Sequence, residues 1–279
     1  MMSHKEDVRA LSSETCALIL AAGLGSRLGP NTKECPKCLV PVAGTPILER
    51  MIDTLGEHGV NSFIIAVGYL SGQIRRFVEE KYPGLDIRFV ENPDYASTGS
   101  VSSLDLALDA MVPRRNVLLL EGDVVIEPAL ILRTLQAANV SREAATLLAP
   151  YEPSLSGTFA LVQGDIVSAW LHETDRASDF PLQSSFKTVN VTFVRKGAPL
   201  VALRNTVKLT IAKRGGRAPL EYAMQDLVAK GMEIAATDIN ALRWFEVDTP
   251  EDLAIAESLF TQSGGAPPPS QLSAESQLP

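Results

Sequence analysis

A chain of 279 residues, 46% hydrophobic and 21% charged, has the balance of a globular protein and room for one large α/β domain or two small ones. Its 25 Lys and Arg against 33 Asp and Glu leave a net charge of −8. That argues against a duplex-DNA or RNA binder, which must neutralise many phosphates, but is compatible with one nucleotide in a local basic pocket, and with a homo-oligomer. No apolar run approaches the ~20 residues of a membrane span. The polar start M-M-S-H-K-E-D-V-R-A lacks a secretion signal's apolar stretch. The expected compartment is the cytoplasm, with no membrane partner.

Residues 1–13 are polar and expected to be a flexible N-terminus. C-A-L-I-L (16–20) reads as a buried strand. The stretch 46–59 carries apolar residues at 47, 48, 51, 52 and 55, a helical spacing with Pro at its start and Gly at its end. A strand at 62–67, the helix G-Q-I-R-R-F-V-E-E-K, the strand D-I-R-F-V and the helix S-V-S-S-L-D-L-A-L-D-A-M follow. N-V-L-L-L-E-G-D (116–123) is a further apolar strand ending in a carboxylate. Strand and helix in alternation imply α/β architecture, a mostly parallel sheet with helices on both faces. Beyond Ala144 the segments A-A-T-L-L-A-P, T-F-A-L-V, D-I-V-S-A-W and K-T-V-N-V-T-F-V are strand-rich, with helices near 219–230 and 250–260. One domain at 14–261 is expected, in two halves of about 14–143 and 144–261. Residues 262–279 read as a disordered tail.

The first strand runs into A-A-G-L-G-S-R-L-G. Glycines let backbone N–H groups approach an anion, although the spacing is neither G-x-G-x-x-G nor a P-loop. Arg27 lies within this loop and Lys37 ten residues on. Two cations beside a glycine nest suit a triphosphate, and a tight turn with a surface Arg is the alternative. Lys37 sits in E-C-P-K-C, whose C-x-x-C spacing could mean zinc or a redox dithiol. Cys16 and three scattered histidines supply no second ligand pair, so the cysteines read as incidental. Asp123 ends a central strand where ligands bind in such sheets, and its hard oxygens suit Mg²⁺. Asp248 in D-T-P-E-D reads as a helix cap, with Glu246 a weaker metal candidate beside it.

L-A-A-G-L-G-S-R-L-G-P…E-C-P-K-C-L-V-P-V-A-G-T-P-I-L-E-R resembles the signature of the nucleotidyltransferases that make sugar nucleotides and related CMP or CDP compounds. The resemblance implies a Rossmann-like nucleotide half, 14–143, and an acceptor half, 144–261. It gives the triphosphate to Arg27 and Lys37, and places Leu20, Ala21, Ala22, Gly23, Gly25 and Ser26 along the nucleotide. It makes Asp248 the second metal-holding carboxylate with Asp123. Pro36, Pro41 and Pro46 then shape a loop folding back over the nucleotide.

V-E-N-P-D-Y-A-S-T-G-S-V-S-S-L-D-L-A and F-K-T-V-N-V-T-F are similar to segments of phosphocholine and phosphonate cytidylyltransferases. This implies CTP as donor and phosphocholine or 2-aminoethylphosphonate as acceptor type. Thr98, Gly99, Ser100 and Ser103, and the strand-following Gly68 and Tyr69, are candidates near the base. Lys187 would point at the acceptor phosphate with help from Asn190, or be an exposed strand-end lysine. A cationic acceptor would want aromatic faces or carboxylates; Trp170, Glu173, Glu221 and Tyr222 are candidates, with Asp179, Phe180 and His172 nearby. Thr98-Gly99-Ser100 departs from the Asn-Asn or Asn-Ser of the cytidylyltransferases towards the sugar enzymes. The alternatives are therefore a sugar-1-phosphate or inositol-phosphate nucleotidyltransferase using CTP, UTP, dTTP or GTP, and an inactive nucleotide-binding regulatory module.

Overall fold

The computed structural model describes residues 2–112 and 114–261. Its first elements are α1 (Met2–Ser13), β1 (Thr15–Ala21), 3-10 turns at Ser26–Thr32 and Lys37–Leu39, and the short strands β2 (Pro41–Val42) and β3 (Thr45–Pro46). Next come α2 (Ile47–Glu57), β4 (Ser62–Val67), α3 (Ser71–Lys81), β5 (Asp86–Glu91), α4 (Ser100–Ala110) and β6 (Asn116–Glu121). They lead to β7 (Val124–Ile126), α5 (Pro128–Val140), β8 (Ala144–Pro150), β9 (Phe159–Gln163) and β10 (Ile166–Leu171). After 3-10 turns at Glu173–Asp175 and Leu182–Ser184 the chain forms β11 (Phe186–Val194), α6 (Ala198–Arg214) and α7 (Glu221–Ala229). β12 (Ile234–Asp238), β13 (Trp244–Glu246) and α8 (Pro250–Thr261) complete it.

A nine-stranded sheet in the order β5-β4-β1-β6-β11-β8-β12-β10-β9 divides the molecule. Neighbours from β5 to β6 are parallel, and β11 enters antiparallel to β6 and β8. The inner parallel strands β1, β4 and β6 are buried almost throughout because both faces are covered, whereas the edge strand β5 carries Asp86, Arg88 and Glu91 and is half exposed. The pleat sends Ala17 and Ile19 into one core with Phe63 and Ile65, and Leu18 and Leu20 into the other with Ile64 and Ala66. The apolar positions 47, 48, 51, 52 and 55 of α2 are all buried, as the spacing predicts. Antiparallel entry of β11 pairs Val191 with Leu120, so residues 186–190 stand at the carboxyl ends of β1 and β6. That end of the sheet is where the site forms.

Three features differ from the sequence expectation. Residues 2–13, expected to be flexible, form α1, because Val8 and Leu11 share a face and are buried in the core. The helix α6 escapes the periodicity because exposed Val201 and Leu209 interrupt the buried stripe of Leu200, Leu203 and Val207. β6 ends at Glu121, leaving Gly122 and Asp123 in the turn to β7. The expected tail, 262–279, lies outside the described residues. Among the described residues no helix is long and apolar enough to cross a membrane.

Candidate active site

β1 delivers the glycine loop to the open end of the sheet. Gly25 holds a left-handed φ of +62°, and a Cβ there would lie 2.9 Å from Lys37 Cβ. Only glycine lets the loop lie against Lys37 in this way. Leu20, Ala21, Ala22, Gly23, Gly25, Ser26, Arg27 and Lys37 line a cleft of about 380 Å³, together with Thr98, Gly99, Ser100, Ser103, Asp123 and Asp248. Gly68 and Tyr69 stand behind its wall instead. The Tyr69 N–H donates to Ala22 O (3.0 Å), and its hydroxyl donates to Thr32 O (3.0 Å) and Lys33 O (2.9 Å), bracing the loop.

Among the wall residues left unassigned in the sequence are Asn92 and Glu121. Asn92 Nδ2 donates to Thr98 Oγ1 and Ser103 Oγ, both at 3.0 Å, fixing the segment that enters α4. Its signal was its place just past a parallel strand, where such sheets bind ligands. Gly99 has a packing reason: its N–H bonds Gly216 O at 2.8 Å, and a Cβ would meet Arg217 O at 2.4 Å. The glycine of the Thr98-Gly99-Ser100 departure is thus required by the close approach of residues 216–218.

The predicted cations and carboxylates meet. Lys37 Nζ lies 2.7 Å from Asp123 Oδ2 and 2.6 Å from Asp248 Oδ1. Burial alone disfavours its ammonium, but the two carboxylates outweigh it and raise the Lys37 pKa. Arg27 Nη2 reaches the same Asp248 Oδ1 at 2.8 Å. The Arg27 side chain is 71% exposed against 14% for Lys37, so its pair is weak and easily exchanged. Asp248 also begins the α8 cap: its N–H and that of Thr249 donate to Asp252 Oδ2.

Glu121, Asp123 and Glu246 each bring a carboxylate oxygen within 4.8 Å of the others. Burial first, then the charges of Glu221 and Asp123, push Glu121 well above the usual carboxylate range. Glu246 is raised, again chiefly by burial. Asp123 Oδ1 is buried with no hydrogen-bond partner. Hard oxygens from three chain positions, one of them orphaned, fit a divalent cation such as Mg²⁺. Glu246 is the member of this group that accompanies Asp123, while Asp248 Oδ1 is shared by the two cations.

Among the acceptor candidates, Lys187, Asn190 and Glu221 reach this cluster. Lys187 is 5% exposed, not a free strand-end lysine; its Nζ bonds Glu246 Oε2 (3.2 Å) and Thr188 O (3.1 Å). Asn190, at a left-handed φ of +61° where β11 bulges, donates to Glu246 Oε1 at 3.4 Å. The Glu221 carboxyl is pushed up to about 6 by burial and then by Glu246, and its Oε2 is closed off from solvent without a partner. The aromatic candidates are engaged elsewhere. Trp170 is 3% exposed within the core. Arg214 Cζ lies 3.8 Å above the Tyr222 ring, and the Tyr222 hydroxyl bonds Thr174 Oγ1. Glu173 accepts from the Gly157 N–H.

Cys35 and Cys38 are free thiols. Burial raises both pKa values, which makes them poor nucleophiles. Neither joins a metal-holding group among the described residues.

The MobA-like NTP transferase domain matches residues 17–207. The CMP-5'-(3-aminopropyl)phosphonate synthase of Streptomyces rubellomurinus is 34% identical over 247 residues, 88% of this chain and 38% of that protein. A 2-aminoethylphosphonate cytidylyltransferase of Lancefieldella rimae is 39% identical over 115 residues, 41% of this chain and 45% of its own. In both, the match spans less than half of the relative's length. The structure of the CTP:phosphocholine cytidylyltransferase of Streptococcus pneumoniae superposes with a TM-score of 0.69, at 23% identity over 88% of this chain and 98% of that one. That likeness is one of fold.

Proposed function

Because this chain belongs to the MobA-like NTP transferase domain family, we propose that it moves CMP from CTP to a small phosphonate or phosphate acceptor carrying an ammonium group, of the 2-aminoethylphosphonate or phosphocholine type, with release of pyrophosphate. The two relatives that act on aminoalkyl phosphonates support this reading. One observation carries it: a cleft joins the glycine loop to a Lys37 held by Asp123 and Asp248, and Asp123 in turn shares a carboxylate group with Glu246, the partner of Lys187.

In this reading an acceptor oxygen attacks the α-phosphorus in line. The bond from that phosphorus to the bridging oxygen breaks, and pyrophosphate departs with the electron pair. The acceptor oxygen is already anionic, so no enzyme nucleophile is required; the protein supplies position and charge. Lys37 and Arg27 neutralise the triphosphate, and the N–H groups of residues 22–25 approach it. Asp123, with Glu121, Glu246 and Asp248 at hand, would hold Mg²⁺, which supplies further neutralisation on the phosphates. Lys187 takes the acceptor oxyanion and Glu221 its ammonium.

A sugar or inositol phosphate would leave the buried Glu221 carboxylate without a counter-charge, which disfavours the runner-up. Pyrophosphate release is to be followed with CTP, UTP, dTTP, GTP and ATP against 2-aminoethylphosphonate, phosphocholine, glucose-1-phosphate and inositol-phosphate. Turnover confined to CTP and the ammonium-bearing acceptors is expected. Turnover only with UTP or dTTP and a sugar phosphate overturns the assignment; tight nucleotide binding with no turnover favours a regulatory module.

A further inference from the structure

Arg176 has no part in the chemistry above. It follows the 3-10 turn Glu173–Asp175, between β10 and β11. Its guanidinium lies over the rings of Phe159 at 4.9 Å and Phe180 at 5.9 Å. Its Nη1 is closed off from solvent and has no hydrogen-bond partner. A guanidinium stays charged at any working pH, and buried polar groups without partners are rare enough to need a reason. The neighbouring Arg214 shows the contrast: it stacks on Tyr222 but also pairs with Asp175 at 3.3 Å.

Position supplies the reason. Phe159 is the cross-strand partner of Lys187, and directly opposed residues of an antiparallel pair project from the same face. Arg176, lying on the Phe159 ring, is therefore on the face that Lys187 uses. Lys187 already spends its ammonium on Glu246 and Thr188 O. The turn before Arg176 is pinned from both sides. Asp175 accepts from Arg214 and Gln225, Thr174 meets the Tyr222 hydroxyl, and Glu173 holds the Gly157 N–H. The turn is held, the guanidinium lies over two rings, and its Nη1 is unspent.

We propose that Arg176 binds the non-reacting oxygens of the acceptor's phosphonate or phosphate group, which deepens the function proposed above and rests on it. The planar fork of arginine matches two oxygens of one tetrahedral anion. The nucleotide is not its ligand, because the cleft around the glycine loop draws its cations from Arg27 and Lys37.

The test compares wild type with Arg176→Gln and Arg176→Lys. For Arg176→Gln the acceptor KM is expected to rise roughly 10- to 100-fold, the worth of a charge-assisted hydrogen bond. The KM for CTP and the Tm should stay at wild-type values, with Arg176→Lys intermediate. An unchanged acceptor KM overturns the proposal. So does a lower Tm with CTP and acceptor affinity lost together, which marks a purely structural stacking role. Calorimetric titration of methylphosphonate and 2-aminoethylphosphonate into the CTP-saturated protein gives a readout independent of turnover. If wild type turns over no acceptor, the function proposed above fails, and calorimetry alone judges Arg176. Binding lost in Arg176→Gln then supports it, and binding by neither protein, or equally by both, overturns it.

Discussion

Replacing Glu221 with glutamine sets the electrostatics of the acceptor side against stability. The Glu221 carboxyl rises from its ordinary 4.5 to about 6, first through burial and then through the negative charge of Glu246, with Lys187 opposing. At about 1.4 kcal/mol per pH unit, ionising it in the folded chain costs about 2 kcal/mol more than in the unfolded one. The folded chain holds the proton more tightly. The carboxyl's contribution to stability is therefore whole below 4.5 and is lost as pH rises through about 6. Glutamine never ionises and escapes that loss. At 2–4 °C per kcal/mol for a chain of this size, Glu221→Gln should melt about 4–8 °C above wild type near neutral pH. The advantage should shrink to nothing as pH falls to 4.5. Scanning calorimetry across that range reads both numbers. An advantage that is absent at neutral pH, or that grows towards acid, refutes the reasoning. The same variant should bind an amine-bearing acceptor more weakly, the pattern of a group retained for binding at the expense of stability.

Lys37→Ala and Asp123→Ala should each lower kcat/KM by roughly 10²- to 10³-fold, as for loss of one donor to a developing charge, while both proteins keep a cooperative melt; near-normal pyrophosphate release from either removes that residue from the site. Gly99→Ala should cost about 1–3 kcal/mol in chemical denaturation, since its Cβ would meet Arg217 O at 2.4 Å and Ala218 O at 2.5 Å. A neutral result would mean residues 216–218 yield freely. The Cys35→Ser/Cys38→Ser double variant should keep its turnover, with some loss of stability from placing a hydroxyl at the buried Cys38. Activity lost in that variant, or wild-type activity that follows zinc or reductant, would make the thiols functional.

How legible the site was depended on how far apart its members lie in the chain. Leu20 to Lys37 is one stretch on consecutive turns, so neighbours in sequence remain neighbours in space, and glycine spacing plus two cations announced an anion site. The partners of Lys37 lie 86 and 211 residues away; spacing alone offered Asp248 as a helix cap, and only resemblance brought it to the cleft. Glu121 hid at the end of an apolar strand, although the two-residue step to Asp123 brings both carboxylates into one cluster. The acceptor aromatics misled for another reason. In a strand-rich half each side chain's face is set by register, so Trp170 went to the core. Tyr222 received its cation from α6, a helix whose exposed Val201 and Leu209 had concealed it.

The pairings in the cleft have a consequence for how it fills. Arg176 aside, each cation assigned to phosphate is held by a carboxylate of the acidic group: Lys37 by Asp123 and Asp248, Arg27 by Asp248, Lys187 by Glu246. A triphosphate that takes Lys37 and Arg27 leaves Asp123 and Asp248 facing its own charge, unless a divalent cation meets them. A divalent cation arriving alone finds the same carboxylates occupied by Lys37. Exchange of partners is balanced only when both bind, so each should raise the affinity of the other by one common factor. Titrations of CTP at fixed Mg²⁺ and of Mg²⁺ at fixed CTP measure that factor twice. Two independent affinities would mean that Lys37 keeps its carboxylates when the nucleotide is bound, and that Arg27 and the loop amides alone hold the phosphates.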